Sequence, residues 1–162
     1  MRGVPGRFEA VDEGQPFAVI VDYAHKPGAL ENVLHAARGL AAGQRVICVV
    51  GAGGDRDRGK RPLMGRLASE LSDVTIVTSD NPRSEDPETI AAEIVVGTAG
   101  EVEVELDRAA AIVRAVELAQ PGDVVVIAGK GAEQGQELAD RTVPFDDREA
   151  AKDALRALEA RT

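Results

Sequence analysis

Four short segments of the chain concentrate the residue types that bind charged ligands. They are DYAHKP (22–27), GAGGDRDRGKR (51–61), SDNPRSEDP (79–87) and GKGAEQGQE (129–137). The first segment offers Asp22, Tyr23 and His25, which could together contact a ribose, a phosphate or a metal ion. The alternative is that Asp22 and His25 cap the helix that follows and that Tyr23 is half-buried. The residue types alone leave both interpretations open.

The second segment nearly matches the phosphate-binding P-loop, G-x-x-x-x-G-K-[ST]. Gly54, Gly59 and Lys60 fit the pattern, but Arg61 stands where a Ser or Thr would hold Mg²⁺. A true P-loop is therefore not expected. The segment carries four positive and two negative side chains in a chain of net charge −9. This local reversal of sign favours an anionic ligand, and the alternative is a solvated loop whose charges pair with one another.

The third and fourth segments add a guanidinium group and flexible backbone. Arg83 has a planar fork suited to a carboxylate or a phosphate, and Gly129 would let a ligand approach backbone N–H groups. The alternatives are an Asx-turn with a surface arginine in the third segment and a plain left-handed turn in the fourth.

Together the four segments could bind a molecule that carries both charges. The candidates for an anion are Arg56 and Arg83, and the candidates for a cation are Asp80, Asn81 and Glu133. This combination predicts a receptor for a zwitterion such as an amino acid. A hydrolase is not expected, because no Ser-His-Asp pattern appears and the His and Cys residues lack the spacing of metal ligands. No catalytic residue and no metal site is therefore predicted in this chain.

The elements that must position these segments alternate between strands and helices. Short β-branched runs predict strands at 17–24, 45–51, 73–80, 101–106 and 123–129. Segments rich in Ala and Leu predict helices at 27–42, 61–72, 87–98, 107–119 and 149–160. The pattern predicts a three-layer, Rossmann-like doubly wound α/β fold, with a mostly parallel sheet of about six strands flanked by helices. Ligands bind such sheets outside the carboxyl ends of the strands, where the four segments lie.

Composition restricts the class of protein further. Aromatic residues make up only 2% of the chain, so the core must consist of Val, Ile, Leu and Ala. The net charge of −9 argues against nucleic-acid binding, which needs a basic surface, and fits a cytoplasmic protein, expected to be a monomer. No apolar stretch approaches the ~18 residues of a membrane span. The single cysteine, Cys48, is expected to be a buried thiol.

In their order and spacing the four segments resemble the C-terminal domain of the Mur ligases, most closely of the MurE type. The matching stretches are VDYAHKPGALENVL, GAGGDRDRGKRPLMG, TSDNPRSEDP and GKGAEQGQE. GRFEAV, near the start, is similar to the segment that joins this family's central and last domains. The resemblance covers essentially the whole chain. It implies that residues 1–16 are an interdomain lead-in and that 17–162 form the amino-acid-binding domain.

The resemblance also implies roles for the candidate residues. The motif DNPR is associated in this family with the addition of meso-diaminopimelate, whereas lysine-adding relatives carry another residue at the position of Arg83. Arg83 would bind the carboxylate that lysine lacks, and an empty, desolvated fork would penalise lysine. The other amino-acid contacts implied are Arg56, Asn81, Gly129 and Glu133, with Glu133 facing the ammonium group. The ATP-facing residues implied are Asp22, Tyr23 and His25.

The family's reaction is ATP-dependent amide formation in peptidoglycan precursor synthesis. A carboxylate of UDP-MurNAc-L-Ala-D-Glu is phosphorylated, and the incoming amine attacks the acyl phosphate. The resemblance implies that ATP and Mg²⁺ are bound mainly by a central domain that this sequence lacks, so the chain alone is expected to be inactive. One departure from the family is Ala132, where GKGHE usually has His. The alternatives are a related ligase that adds another amino acid, and a stand-alone module that binds a small anion or a nucleotide.

Overall fold

A mostly parallel sheet forms the centre of the molecule in the computed structural model, which describes residues 4–161. The strands are β1 (Glu9–Ala10), β2 (Ala18–Asp22), β3 (Val46–Val50), β4 (Val74–Val77), β5 (Glu103–Val104), β6 (Val124–Ala128), β7 (Gly135–Glu137) and β8 (Thr142–Pro144). Six of them form one sheet in the order β1-β2-β6-β3-β4-β5. β1 runs antiparallel to β2, and the other four neighbouring pairs are parallel. β7 and β8 form a separate antiparallel hairpin.

Helices cover both faces of the sheet. They are α1 (Pro27–Ala41), α2 (Lys60–Leu71), α3 (Pro87–Val96), α4 (Arg108–Leu118) and α5 (Asp147–Ala160). α1 and α2 bury their apolar residues against one face, and α4 and α5 bury theirs against the other. α3 packs beside α2 and covers the end of β4. No helix in the part of the chain that the structure describes is both long enough and apolar enough to cross a bilayer.

The central strands explain the composition of the core. β3 (VICVV) and β6 (VVVIA) are buried at every position, because each has neighbours on both sides and helices above and below. β-branched and small side chains fill this space without aromatic residues. Cys48 lies in the middle of β3 with none of its surface exposed, so the prediction of a buried thiol is confirmed.

The predicted fold class is confirmed, and the five predicted helices and four of the predicted strands are present within a few residues of their predicted ends. The strand predicted at 101–106 is wrong in extent, since only Glu103 and Val104 pair with β4. This segment lies at the sheet edge, where Val104 is half exposed. The sequence pattern does not predict β1, β7 or β8, because each strand has only two or three residues, which is too few to show a periodicity. Residues 1–3 of the predicted lead-in and 162 of the predicted domain lie outside the described residues.

Candidate functional site

The four polar segments meet in one cleft at the carboxyl ends of β2, β3, β4 and β6. The cleft has a volume of about 310 Å³. It is lined by Tyr23, His25, Lys26, Gly53, Arg56, Asp57, Lys60, Asp80, Asn81, Arg83, Gly129 and Glu133. Eight of the nine residues predicted from the sequence are among them, and Asp22 is the exception. The parallel strands bring these side chains together because their carboxyl ends lie at the same edge of the sheet.

A larger hollow, of about 460 Å³, lies at the opposite edge of the sheet. Its walls are mainly apolar, with Phe17, Leu40 and Val124 among them. Asp123, which also lines it, is already hydrogen-bonded to Arg45 through both carboxylate oxygens. The smaller cleft is therefore the candidate site, because its polar groups point at the cleft from four separate loops.

Arg83 is held in the cleft by two other loops. Its backbone is left-handed (φ +53°), and its N–H donates to the carbonyl of Glu137 at 3.0 Å. In the side chain, Nη1 donates to the carbonyl of Gly54 at 2.8 Å and Nη2 donates to Oε2 of Glu137 at 3.1 Å. These two bonds leave three of the five guanidinium N–H groups for a ligand.

Gly54 allows the second and third segments to touch. A Cβ atom at this position would lie 1.8 Å from the carbonyl oxygen of Pro82, which is far inside any contact distance. The N–H of Gly54 also donates to the carbonyl of Asn81 at 2.7 Å. Arg56 follows on the exposed side of this contact, where its guanidinium makes one hydrogen bond with residues 4–161, from Nη1 to the carbonyl of Asp55. Its guanidinium can therefore turn towards a ligand in the cleft.

The charges of the second segment divide into structural and available groups. Arg61 is fully buried, with Nη2 donating to Oε2 of Glu85 at 2.7 Å and Nη1 donating to Oε1 of Glu93 at 3.2 Å. Arg58 also pairs with Glu93. The alternative that the charges of this segment pair with one another is therefore wrong for the two arginines, because their partners, Glu85 and Glu93, lie outside the segment. Lys60 lines the cleft and donates to the carbonyl of His25 at 2.9 Å, and partial burial lowers its pKa.

Asn81, Lys130 and Glu133 form a hydrogen-bonded group at the base of the cleft. The Lys130 side chain is fully buried. Its Nζ donates to Oδ1 of Asn81 at 2.8 Å, to Oε1 of Glu133 at 3.2 Å and to the carbonyl of Gly135 at 2.7 Å. Oδ1 of Asn81 also accepts from the N–H of Glu137 at 3.0 Å. Because both of its acceptor sites are used, this atom cannot also accept from a ligand's ammonium group. This corrects the expectation that Asn81 faces a cation.

Asp80 and Gly129 form one corner of the cleft. Asp80 is only 6% exposed, and its carboxylate accepts no hydrogen bond from the residues that the structure describes. A Cβ atom on Gly129 would lie 2.6 Å from Oδ2 of Asp80, and the backbone of Gly129 has φ +119°. Glycine is therefore required there both by conformation and by space. The unpaired carboxylate is a suitable partner for a positively charged group of a ligand.

The first segment combines aromatic and charged groups. The rings of Tyr23 and His25 meet edge to face with their centroids 4.6 Å apart, and the guanidinium of Arg7 lies over the Tyr23 ring at 5.3 Å. Asp22 points away from the cleft, since its carboxylate accepts from the N–H groups of Phe8 at 2.7 Å and Ala24 at 2.8 Å. The helix-cap alternative is wrong, because the cap residue of α1 is Lys26 and no side chain caps that end.

Behind the cleft, a buried ion pair fixes the ends of two strands. Arg108 donates to both carboxylate oxygens of Asp147 at 2.7 Å, and neither side chain is exposed. The same guanidinium donates to the carbonyls of Ser79 and Ala128 at 3.0 and 3.1 Å. These carbonyls come directly before Asp80 and Gly129. The residues predicted from the sequence do not include Arg7, Lys130, Arg108 or Asp147. Lys130 lies between two glycines of the fourth segment and Arg7 lies in GRFEAV, but no motif marks the other two.

Comparison with known proteins decides the family. The family model described as "Mur ligase, glutamate ligase domain" matches residues 6–131, which is more than half of the chain. The chain belongs to the Mur ligase family. The resemblance inferred from the four segments is thereby confirmed, and the cleft described above is the cleft of a Mur ligase domain.

Individual Mur ligases show how much of a longer protein this domain represents. UDP-N-acetylmuramoyl-L-alanyl-D-glutamate–2,6-diaminopimelate ligase from Solibacter usitatus is 57% identical over 159 residues, and the enzyme of the same name from Syntrophomonas wolfei is 56% identical over 161. Each match covers 96% of this chain and 32% of the relative. The chain thus spans about a third of the length of the curated relatives it matches.

Solved structures agree with this assignment. A UDP-N-acetylmuramoyl-L-alanyl-D-glutamate–2,6-diaminopimelate ligase superimposes with a TM-score of 0.89 at 41% identity, over 98% of this chain and 33% of that one. A bifunctional folylpolyglutamate synthase/dihydrofolate synthase from Yersinia pestis, complexed with AMPPNP and a Mn ion, has a TM-score of 0.61 at 23% identity, over 97% of this chain and 32% of that one. At that identity the second likeness shows the fold alone.

Proposed function

We propose that this chain is the amino-acid-binding, C-terminal part of an ATP-dependent ligase that adds meso-diaminopimelate to UDP-MurNAc-L-Ala-D-Glu in peptidoglycan precursor synthesis. The observation that carries the proposal is the charge arrangement of the cleft. Arg56 and Arg83 lie among its walls together with the carboxylates of Asp80 and Glu133. A ligand that carries both carboxylate and ammonium groups fits this arrangement. The similarity to ligases named for 2,6-diaminopimelate supports the choice of amino acid.

Selectivity against lysine follows from the environment of Arg83. Diaminopimelate carries a second carboxylate at the end of its side chain, where lysine carries only an ammonium group. The Arg83 side chain is 19% exposed, so a ligand that fills the cleft would remove most of the remaining water from it. In the lysine complex Arg83 would keep only its bonds to Gly54 and Glu137, and its three remaining N–H groups would lose water without gaining a carboxylate, which costs free energy.

We also propose how the rest of the reaction uses this domain. In the longer protein, ATP phosphorylates the substrate carboxylate, and ADP is released. The amine of the bound diaminopimelate then attacks the acyl carbon, an amide bond forms, and inorganic phosphate and a proton leave. This chain's part is to hold the amine in place, and bringing it to the acyl phosphate is a proximity effect. Tyr23 and His25, with the cationic Lys60, form the side of the cleft that we assign to ATP.

Metal binding and the domain boundary are further parts of the proposal. The described residues include no cluster of three or more His, Cys, Asp or Glu side chains suited to a metal ion. As the resemblance to the Mur ligases implies, we assign Mg²⁺, and most contacts to ATP, to the part of the longer protein that this chain does not include. We assign residues 1–16 to the connection between the two parts and 17–162 to the amino-acid-binding domain. The hydrogen bond from the N–H of Phe8 to Asp22 supports a fixed connection.

A titration of the ¹⁵N-labelled chain tests the proposed function. We expect meso-diaminopimelate to shift the amide signals around Arg56, Asn81, Arg83 and Glu133, and L-lysine to shift them far less. Substitution of Arg83 by Ala should weaken binding of diaminopimelate about tenfold or more, since a hydrogen bond to a charged group contributes about 1.5–3 kcal/mol, and should leave lysine binding nearly unchanged.

Arg114→Ala provides a matched control for this titration. Arg114 is an exposed arginine paired with Glu103, and it does not line the cleft. We expect this variant to bind diaminopimelate like the unchanged chain. Equal binding of lysine and diaminopimelate by the unchanged chain would contradict the proposed substrate, and the absence of shifts with both would contradict a preformed amino-acid site.

A further inference from the structure

Lys130 is a buried charge that lies beneath the cleft without lining it. Its ammonium group has three protons, and each is directed at an oxygen atom: Oδ1 of Asn81, Oε1 of Glu133 and the carbonyl of Gly135. A buried charge is strongly unfavourable unless an opposite charge and hydrogen bonds compensate it. Glu133 supplies the charge and the other two oxygens complete the set. Such a group costs stability to bury, so its position next to the cleft calls for a functional explanation.

The first consequence of Lys130 is the orientation of the Asn81 amide. Oδ1 of Asn81 accepts from Nζ of Lys130 at 2.8 Å and from the N–H of Glu137 at 3.0 Å. Both partners are donors, and neither can accept from an NH₂ group. Only one of the two amide orientations satisfies them. The Nδ2 group must therefore face Glu133 and the cleft, where Asn81 offers a donor to the ligand.

The second consequence is the orientation of the Glu133 carboxylate. Oε1 accepts from Nζ of Lys130 at 3.2 Å and lies 3.4 Å from Nδ2 of Asn81. Oε2 makes no hydrogen bond with the residues that the structure describes. With one oxygen held below the cleft, the other is left as an acceptor for a ligand. Lys130 therefore orients the Glu133 carboxylate and, together with the N–H of Glu137, the Asn81 amide.

We propose that Lys130 is a positioning residue that sets the hydrogen-bonding polarity of the amino-acid site. This inference rests on the proposed function, because it assigns the donor of Asn81 to a carboxylate of the ligand and the acceptor of Glu133 to an ammonium group. Without Lys130, only the N–H of Glu137 still holds Oδ1 of Asn81, so the amide is less firmly oriented and can present its oxygen to that carboxylate. Lys130 itself does not touch the ligand and acts through these two neighbours.

The test is a double-mutant cycle between Lys130 and Asn81 in the ¹⁵N-labelled chain. Lys130→Met keeps the length of the side chain and removes the charge and the donors. We expect it to raise the Kd for meso-diaminopimelate about tenfold and to shift the side-chain NH₂ signals of Asn81 in the free protein. In an Asn81→Ala background the same substitution should raise the Kd by a smaller factor, because only its action through Glu133 remains.

Controls separate positioning from a general loss of structure. Lys152→Met removes an exposed lysine of α5 and should leave the Kd unchanged. Lys130→Gln retains one donor for Asn81, so we expect an intermediate Kd, and this variant replaces Lys130→Met if the latter does not fold. Wild-type affinity in a folded Lys130 variant, or an equal effect of Lys130→Met in both backgrounds, overturns the inference alone. If the unchanged chain binds no diaminopimelate, the preformed amino-acid site of the proposed function fails first and the inference with it.

Discussion

Arg83 donates from Nη2 to Oε2 of Glu137 at 3.1 Å, so a carboxylate of the protein occupies part of the fork that we assign to a carboxylate of the ligand. The Glu137 side chain is 50% exposed and that of Arg83 is 19% exposed. Ion pairs with one side so open to water contribute about 0–1 kcal/mol. Glu137 can therefore leave the guanidinium at little cost when a ligand arrives. The pair keeps Arg83 oriented in the free protein and competes weakly with the ligand.

Substitution of Glu137 by Gln is expected to tighten the binding of meso-diaminopimelate. Removal of the competing charge should lower the Kd about two- to fivefold, within the range of an exposed ion pair. Calorimetric or NMR titration of both proteins measures the change. Glu103→Gln, which breaks the exposed pair with Arg114 and changes the net charge equally, should have no effect. Weaker binding by the Glu137 variant would mean that this residue supports the site rather than competes in it.

The contact between the second and third segments predicts a sensitive glycine. Gly54→Ala would place a methyl group 1.8 Å from the carbonyl oxygen of Pro82, so the two loops must separate. Because Arg83 donates to the carbonyl of Gly54, its guanidinium would move with them. We expect the Kd for diaminopimelate to rise at least about tenfold, as expected for a displaced charged hydrogen bond.

Gly65→Ala is the matched comparison for Gly54→Ala. Gly65 lies in α2, and a Cβ atom there would be 2.0 Å from the carbonyl oxygen of Ile94 in α3. That clash lies in the packing of two helices, away from the cleft. We expect a lower melting temperature with an unchanged Kd, measured where the protein is still folded. A similar change of Kd in both variants would show that the Gly54 effect is one of general stability.

Much of the candidate site could be predicted from sequence because the strand pattern fixes where the loops meet. Four continuous apolar runs indicate buried parallel strands, and the segments after them share one edge of the sheet. The shared edge places Arg56, Asp80, Arg83 and Glu133 in one cleft, although they are separated by up to 77 positions of sequence. The order of the strands was not needed for this conclusion.

The groups beneath the cleft could not be predicted, because their partners are distant in sequence and no local pattern marks them. Arg108 and Asp147 are 39 positions apart. Arg108 lies in the helix predicted at 107–119, and Asp147 lies just before the one predicted at 149–160. The polarity of Asn81 depends on Lys130, 49 positions away, and on a backbone N–H in the short strand β7. The sequence predicts an amide side chain in the site. Only the structure shows that its oxygen is used within the protein and that its Nδ2 group faces the cleft.

Acid should destabilise the protein partly through Glu85. Two hydrogen bonds from the buried Arg61 guanidinium, and one from the N–H of Asp55, lower the pKa of Glu85 from 4.5 to about 2. A carboxyl group with a depressed pKa stabilises the folded state above its unfolded pKa, and this contribution is lost as the pH falls from about 4.5 towards 2. The pKa of Glu93 is lowered in the same direction, mainly by its hydrogen bond from Arg58.

Glu85→Gln tests this dependence on pH. We expect the variant to be less stable at pH 7, because Arg61 keeps its charge and loses its main partner. Its free energy of unfolding should also fall less steeply between pH 4.5 and 2.5. Urea denaturation at a series of pH values measures both effects. A slope equal to that of the unchanged chain would show that Glu85 does not contribute to acid unfolding.

Removal of one partner of the buried Arg108–Asp147 pair is expected to destabilise the protein, whereas replacement of both by apolar residues should be tolerated. Asp147→Leu leaves an uncompensated buried guanidinium and should cost about 3–5 kcal/mol in unfolding free energy. Arg108→Met combined with Asp147→Leu removes both charges and should recover most of that loss, since apolar replacements of buried pairs are often tolerated.

Recovery of stability in the double variant should not restore ligand binding. The carbonyls of Ser79 and Ala128 lose their donors when Arg108 is replaced, and the residues after them, Asp80 and Gly129, line the cleft. Denaturation gives the stability, and titration with meso-diaminopimelate gives the Kd, which we expect to rise about three- to tenfold, as for the loss of one hydrogen bond. A double variant with restored stability and an unchanged Kd would mean that the pair supports the core alone, because the strand ends would then hold the cleft without it.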